Sequence, residues 1–253
     1  MHIFLVNDDG IGSKGIMALL EAAVERGHEV TMCAPRYQQS AASHRFTLTE
    51  PIYVKEWPVD APGCQAYAIT GSPVDCVRVG LQQLVTRTVD IVLSGVNDGY
   101  NAGMAVHYSG TVGAAMEGAL NHLRAMAVSI HHRADQAMLD HLARYAIRVA
   151  EQYAQADTPP HTVLNINAPC LAPEKLLPPV YAPLDTGNFI DGYERRQSPR
   201  AGTYFWLMEG SKTEPPAEET DLHYLGLGHI TLTLLGNPVS LDKGVWDLSL
   251  IHI

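Results

Sequence analysis

The stretch that most constrains this chain is its beginning. Residues His2–Val6 are mostly apolar and read as a short buried strand, and the chain turns polar at once at Asn7-Asp8-Asp9-Gly10. Ser13 follows as a helix N-cap, ahead of Ile16, Leu19, Leu20, Ala23 and Val24 at helical spacing. Gly27 is a natural helix stop, and residues 28–34 supply a second strand before Pro35 breaks it. A β-α-β opening of this kind builds a parallel sheet, whose ligands bind beyond the carboxyl ends of its strands. Asp8 and Asp9 stand at that edge.

Neighbouring side chains on a strand face opposite ways, so Asp8 and Asp9 converge only where the strand has ended. Two carboxylates about 4 Å apart repel by roughly 4 kcal/mol at an effective dielectric near 20. A hard divalent cation with oxygen ligands is the simplest group to offset that. Taken alone, the pair is equally consistent with a solvated turn that caps the helix. Gly10, Gly12 and Gly15 also spell the G-x-G-x-x-G dinucleotide fingerprint, and Arg36 follows the second strand, as in an NADP-binding reductase. That reading fails on charge: it sets Asp8 and Asp9 beside the incoming phosphates with no metal between them.

Other stretches converge on the same edge. The loop 36–43, with Ser40 and Ser43, follows the second strand. Residues 46–57 read as extended, 67–69 as a strand, and Ser72-Pro73-Val74-Asp75 as a capped helix start. Residues 90–97 form the next strand, and a polar loop containing Asn97 and Asn101 leaves it. Ser109-Gly110-Thr111 opens a helix whose free N–H groups and hydroxyls suit a phosphate. Strands at 125–130 and 163–167 flank a helix over 135–155, and a last strand covers 230–235. After Pro169 prolines and aromatics become frequent, which divides the chain into a core, 1–170, and an elaboration, 171–253.

A net charge of −10 argues against a stable nucleic-acid partner, though not against a small anion met by a metal or a helix N-terminus. No apolar run reaches membrane-spanning length, and no leader pattern precedes the acidic pair. The four cysteines lack C-x-x-C spacing and read as reduced thiols. A cytoplasmic protein with no membrane partner is the expectation.

Together these stretches resemble the SurE family of survival-protein nucleotidases, metal-dependent acid phosphatases. The resemblance rests on Asn7-Asp8-Asp9-Gly10, Ala34-Pro35 with Ser40 and Ser43, Gly71 to Cys76, and Ser94-Gly-Val-Asn97 with Asn101. It continues through Tyr108-Ser-Gly-Thr-Val112, Ala115 to Gly118, and Leu164 to Asn167. It implies an α/β, Rossmann-like, mostly parallel sheet flanked by helices, and hydrolysis of nucleoside monophosphates by water activated at a metal. It implies one Mg²⁺ or Mn²⁺ per subunit, held by Asp8, Asp9, Ser40 and Asn97, with Asp8 and Asp9 catalytic. It also implies a phosphate cradle of Ser109, Gly110 and Thr111, supported by Asn7, Ser43 and Asn101. Members of the family pair through an exchanged C-terminal arm and a projecting hairpin, so a homodimer or homotetramer is expected, with the hairpin near 188–207 and the arm after Asn237. Ala41, His107, Met104-Ala105 and Leu234 depart from the usual pattern; Ala41 and His107 put substrate preference in question, not the reaction class. A receiver-like binding module is the remaining rival, and Ser94-Gly95 stands where it needs an acceptor Asp.

Overall fold

Alternation along β1 (His2–Val6) sorts the core into two layers. Ile3 and Leu5 point into one apolar cluster, Phe4 and Val6 into the other. In the computed structural model, which describes residues 1–187, 192–208 and 215–236, β1 lies near the middle of a nine-stranded sheet. The helices α1 (Lys14–Glu25) and α4 (Gln136–Tyr153) cover the first layer with Leu19, Ala23, Leu142 and Ala146. The helices α2 (Pro73–Val79) and α3 (Gly110–Leu120) cover the second with Val77, Val112 and Ala115. Strands buried on both faces explain the near-continuous apolar runs in the sequence.

The parallel strands are β4 (Cys64–Ile69), β2 (Glu29–Pro35), β1, β5 (Ile91–Asp98), β6 (Arg124–Ile130) and β7 (Thr162–Ala168), in that spatial order. The chain steps outward from β1 through β2 to β4, then returns to the other side of β1 and steps through β5, β6 and β7. Strand order therefore reverses between β1 and β5, and the crevice beyond their carboxyl ends is where such a sheet binds ligands. Gly15 lets α1 lie close over β5, because a Cβ there would sit 1.9 Å from the Val96 carbonyl oxygen. The third glycine of the apparent dinucleotide fingerprint thus serves helix-to-strand contact.

The expected α/β architecture is present, with differences at its edges. Of residues 46–57 only β3 (Val54–Glu56) pairs, antiparallel to β4. The last strand, β11 (His229–Gly236), returns antiparallel to β7, and β8 (Leu177–Tyr181) adds outside it. A short helix, α5 (Asp221–Leu227), precedes β11 and is not expected from the sequence pattern. The anticipated hairpin is β9 (Gly192–Ser198) with β10 (Gly202–Met208), a separate antiparallel pair. The proposed arm after Asn237 lies outside the described residues. Among the described residues no helix is long and apolar enough to cross a membrane.

Candidate active site

Three loops meet over the crevice between β1 and β5. In the first, the buried Asn7 side chain donates to the Gly10 carbonyl at 3.0 Å and to Ser13 Oγ at 2.7 Å, and accepts from the Gly10 N–H at 3.2 Å. Asn7 therefore closes the strand-to-helix turn, and the acidic pair rides on that turn. Asp8 is only 5% exposed, and its Oδ1 accepts from Thr111 Oγ1 at 2.5 Å. Asp9 is more open; its Oδ2 accepts from the Asp98 N–H at 3.1 Å, and the Gln38 amide reaches Oδ1 at 3.4 Å.

Burial raises the Asp8 carboxyl most, the Thr111 hydrogen bond opposes this, and the charge of Asp9 adds to it; the result is a pKa of about 6. Burial also raises Asp9, against the Asp98 N–H and together with the Asp98 charge. Among the described residues no Lys, Arg or His forms an ion pair with either carboxylate.

The second loop leaves β5. The Asn97 amide nitrogen donates to the Gly99 carbonyl at 2.8 Å, and its Oδ1 lies 3.3 Å from Thr111 Oγ1. A hydroxyl has one proton, and the shorter contact assigns it to Asp8. Asp8 Oδ1 and Asn97 Oδ1 thus converge on one atom from opposite chain segments. Asn101 is buried deeper in this loop. It donates to Ser129 Oγ at 2.8 Å, and its carbonyl accepts from Asn165 and Asn167 at 2.8 and 3.0 Å. Its side chain anchors the loop to β6, and its carbonyl to β7.

The third element is the start of α3. Ser109 caps it, its Oγ accepting from the Val112 N–H at 3.0 Å. A Cβ at Gly110 would stand 3.0 Å from Asp8 Oδ2, so the missing side chain gives this helix end room to lie against the carboxylate. The N-terminal end of a helix carries partial positive charge, here set against Asp8.

The loop after β2 is tied to all of this. The Gln39 N–H donates to the Asp8 carbonyl at 2.7 Å, while Ser43 donates from Oγ to the His107 carbonyl at 2.8 Å and from N–H to the Tyr108 carbonyl at 3.0 Å. Ser40 rides on the same loop, exposed, with no hydrogen bond among the described residues. The structure thus brings Asp8, Asn97, Gly110 and Thr111 together, seats Asp9 beside them, and uses Asn7, Ser43 and Asn101 to hold the loops.

Gln38, Gln39 and Asp98 carry no distinguishing sequence signal of their own, although each lies in a loop that the strand pattern places at this edge. Thr220-Asp221 is only a weak late match to the family in the sequence, and the structure gives Asp221 a supporting place. Its buried carboxylate accepts from the Gly103 N–H at 2.7 Å and the Asp185 N–H at 2.8 Å, fixing the turn that leads to Ser109.

A family model described as "Survival protein SurE" matches residues 3–185. The chain belongs to the SurE family. A protein named 5'-nucleotidase SurE from Synechococcus sp. (strain RCC307) is 37% identical over 243 residues, covering 93% of this chain and 88% of the relative. One of the same name from Solidesulfovibrio magneticus is 39% identical over 235 residues, covering 93% and 91%. The crystal structure of the SurE protein from Aquifex aeolicus superposes with a TM-score of 0.81 at 28% identity, over 100% of this chain and 99% of that one.

Proposed function

We propose that this chain is a metal-dependent phosphomonoesterase that hydrolyses nucleoside monophosphates, 5'-nucleotides first among them, to nucleoside and phosphate. The observation that carries the reading is the seat of Asp8, a buried carboxylate without a cationic partner among the described residues, pressed against the start of α3. The family relatives named 5'-nucleotidase support the same chemistry.

The donor set fits a hard cation. Asp8, Asp9 and Asn97 offer carboxylate and amide oxygens, Ser40 a hydroxyl on the adjoining loop, and no thiolate or imidazole stands among them. Among the described residues no three His, Cys, Asp or Glu side chains converge, so the set is two carboxylates completed by neutral oxygens. One Mg²⁺ or Mn²⁺ per subunit, when bound, supplies Lewis acidity toward a phosphoryl oxygen and toward water.

The chain's own residues do the rest. Ser109, Gly110 and Thr111 present the positive helix end to the phosphate. Because the Thr111 hydroxyl donates to Asp8, that side chain orients the carboxylate, and the helix-start N–H groups meet the phosphate. Asp9 takes the proton of the attacking water at Oδ1, the oxygen that among the described residues has only the long Gln38 contact. Asn7, Ser43 and Asn101 hold the three loops in register. Phosphate release from a panel of nucleoside monophosphates, with chelator and then with Mg²⁺ or Mn²⁺ restored, tests the reading. Loss and recovery are expected; full activity in chelator overturns it.

The working form we propose is a cytoplasmic homodimer or homotetramer with no membrane or stable nucleic-acid partner. The hairpin supports the pairing: Tyr193 and Phe205 on one face and Trp206 on the other are 66%, 61% and 62% exposed, large apolar side chains that suit contact with a second copy.

A further inference from the structure

Beside the start of α3 lies a cavity of about 660 Å³ that none of the site residues above requires. Ser109 belongs to its wall, so the cavity opens next to the phosphate position. Met116 of α3, Leu184 and Leu235 give it apolar sides, while His44 and His107 stand with Ser109 among its lining. Its size falls within the range of small-molecule sites, which combine apolar walls with a few placed polar groups.

The polar groups are held in distinct ways. His44 Nε2 lies 2.9 Å from Glu117 Oε2, and Arg78 reaches the other Glu117 oxygen at 3.1 Å. His44 first, and Arg78 with it, hold the buried Glu117 below the usual carboxylate range, so it accepts the Nε2–H. His107 differs: its carbonyl is fixed by Ser43, while its ring is exposed and makes no hydrogen bond among the described residues.

We infer that this cavity is the seat of the nucleoside half of the substrate, with His107 a specificity-determining residue at its rim; the inference rests on the phosphomonoesterase reading above. An ester phosphate held at Ser109–Gly110–Thr111 carries its organic group either toward solvent or into this cavity. The apolar walls suit the faces of a base, and the hydroxyl and imidazole groups near Ser109 suit a ribose.

Calorimetric titration of adenosine, guanosine, cytidine and uridine into the full-length protein tests this without relying on turnover. Wild type binds at least one of them. His107→Ala weakens that binding by roughly five- to tenfold, the worth of one net hydrogen bond. Met116→Trp, which fills the cavity, abolishes it. In parallel, kcat/KM for the matching nucleoside monophosphate falls relative to that for glycerol phosphate, through KM.

No nucleoside binding by wild type, or unchanged binding in both variants, overturns the inference. If Met116→Trp does not fold, the exposed His107→Ala decides alone. Nucleoside binding without phosphate release from any ester overturns the proposed reaction and leaves this site standing. Equal hydrolysis of glycerol phosphate and nucleotides without nucleoside binding does the reverse.

Discussion

The Thr111 hydroxyl donates to Asp8 Oδ1 at 2.5 Å, across 103 positions of sequence. The bond fastens the start of α3 to the end of β1. It couples the two halves of the proposed site, since the residue expected to cradle phosphate also orients the carboxylate expected to hold a metal. Asn97 Oδ1, 3.3 Å from the same hydroxyl, lies on the same side.

Thr111→Val therefore affects both halves. A hydrogen bond to an ionised group is worth about 1.5–3 kcal/mol, so losing it weakens Mn²⁺ affinity by roughly ten- to hundredfold. Phosphate weakens as an inhibitor in the same variant. Calorimetry with Mn²⁺, paired with product-inhibition assays, checks both. A variant that binds metal like wild type would show that the hydroxyl does not orient Asp8.

Asp8 makes the metal-free protein sensitive to pH in a defined direction. Its carboxyl has a pKa of about 6 in the fold against an ordinary value of 3.8, so the folded state holds the extra proton between these values. Stability is therefore highest below that window and falls as pH rises through it, by on the order of 3 kcal/mol. Urea midpoints in chelator at about pH 3 and pH 7, either side of the window, read this directly. Asp8→Asn should flatten the slope and stabilise the metal-free protein at neutral pH while reducing metal affinity. A wild-type slope of the opposite sign would contradict the burial of Asp8.

The oligomer is expected to depend on residues after Asn237, which include Val239, Leu241, Val245, Trp246, Leu248, Leu250 and Ile251. Light scattering should give a dimer or tetramer for the full chain and a smaller particle for a version ending at Asn237. A monomeric full chain, or an unchanged mass after truncation, rules the arm out.

Much of the fold is legible along the chain. The β1–α1 opening, the capping box of Ser72 and Asp75, and the Ser109 cap are local patterns, each set by residues within a few positions of one another. Those patterns suffice to set the acidic pair and the start of α3 at one sheet edge. β8 is not legible, because Leu177-Pro-Pro-Val-Tyr181 lacks two backbone donors and reads as loop; as the outermost strand it leaves them unneeded. α5 escapes notice for a related reason: seven residues carry little periodicity.

What only the tertiary structure decided is which partner each polar side chain meets. Asn7, Asn101 and Ser43 have the residue types of a site, yet their hydrogen bonds run to Gly10 and Ser13, to Ser129, and to His107. Asp221 is remote from the site in sequence, yet it is buried beneath the turn at Gly103. Side-chain hydrogen bonds of this kind span up to 118 residues and depend on geometry at the ångström scale. Sequence order carries the donors and acceptors; only the packed sheet determines which of them meet.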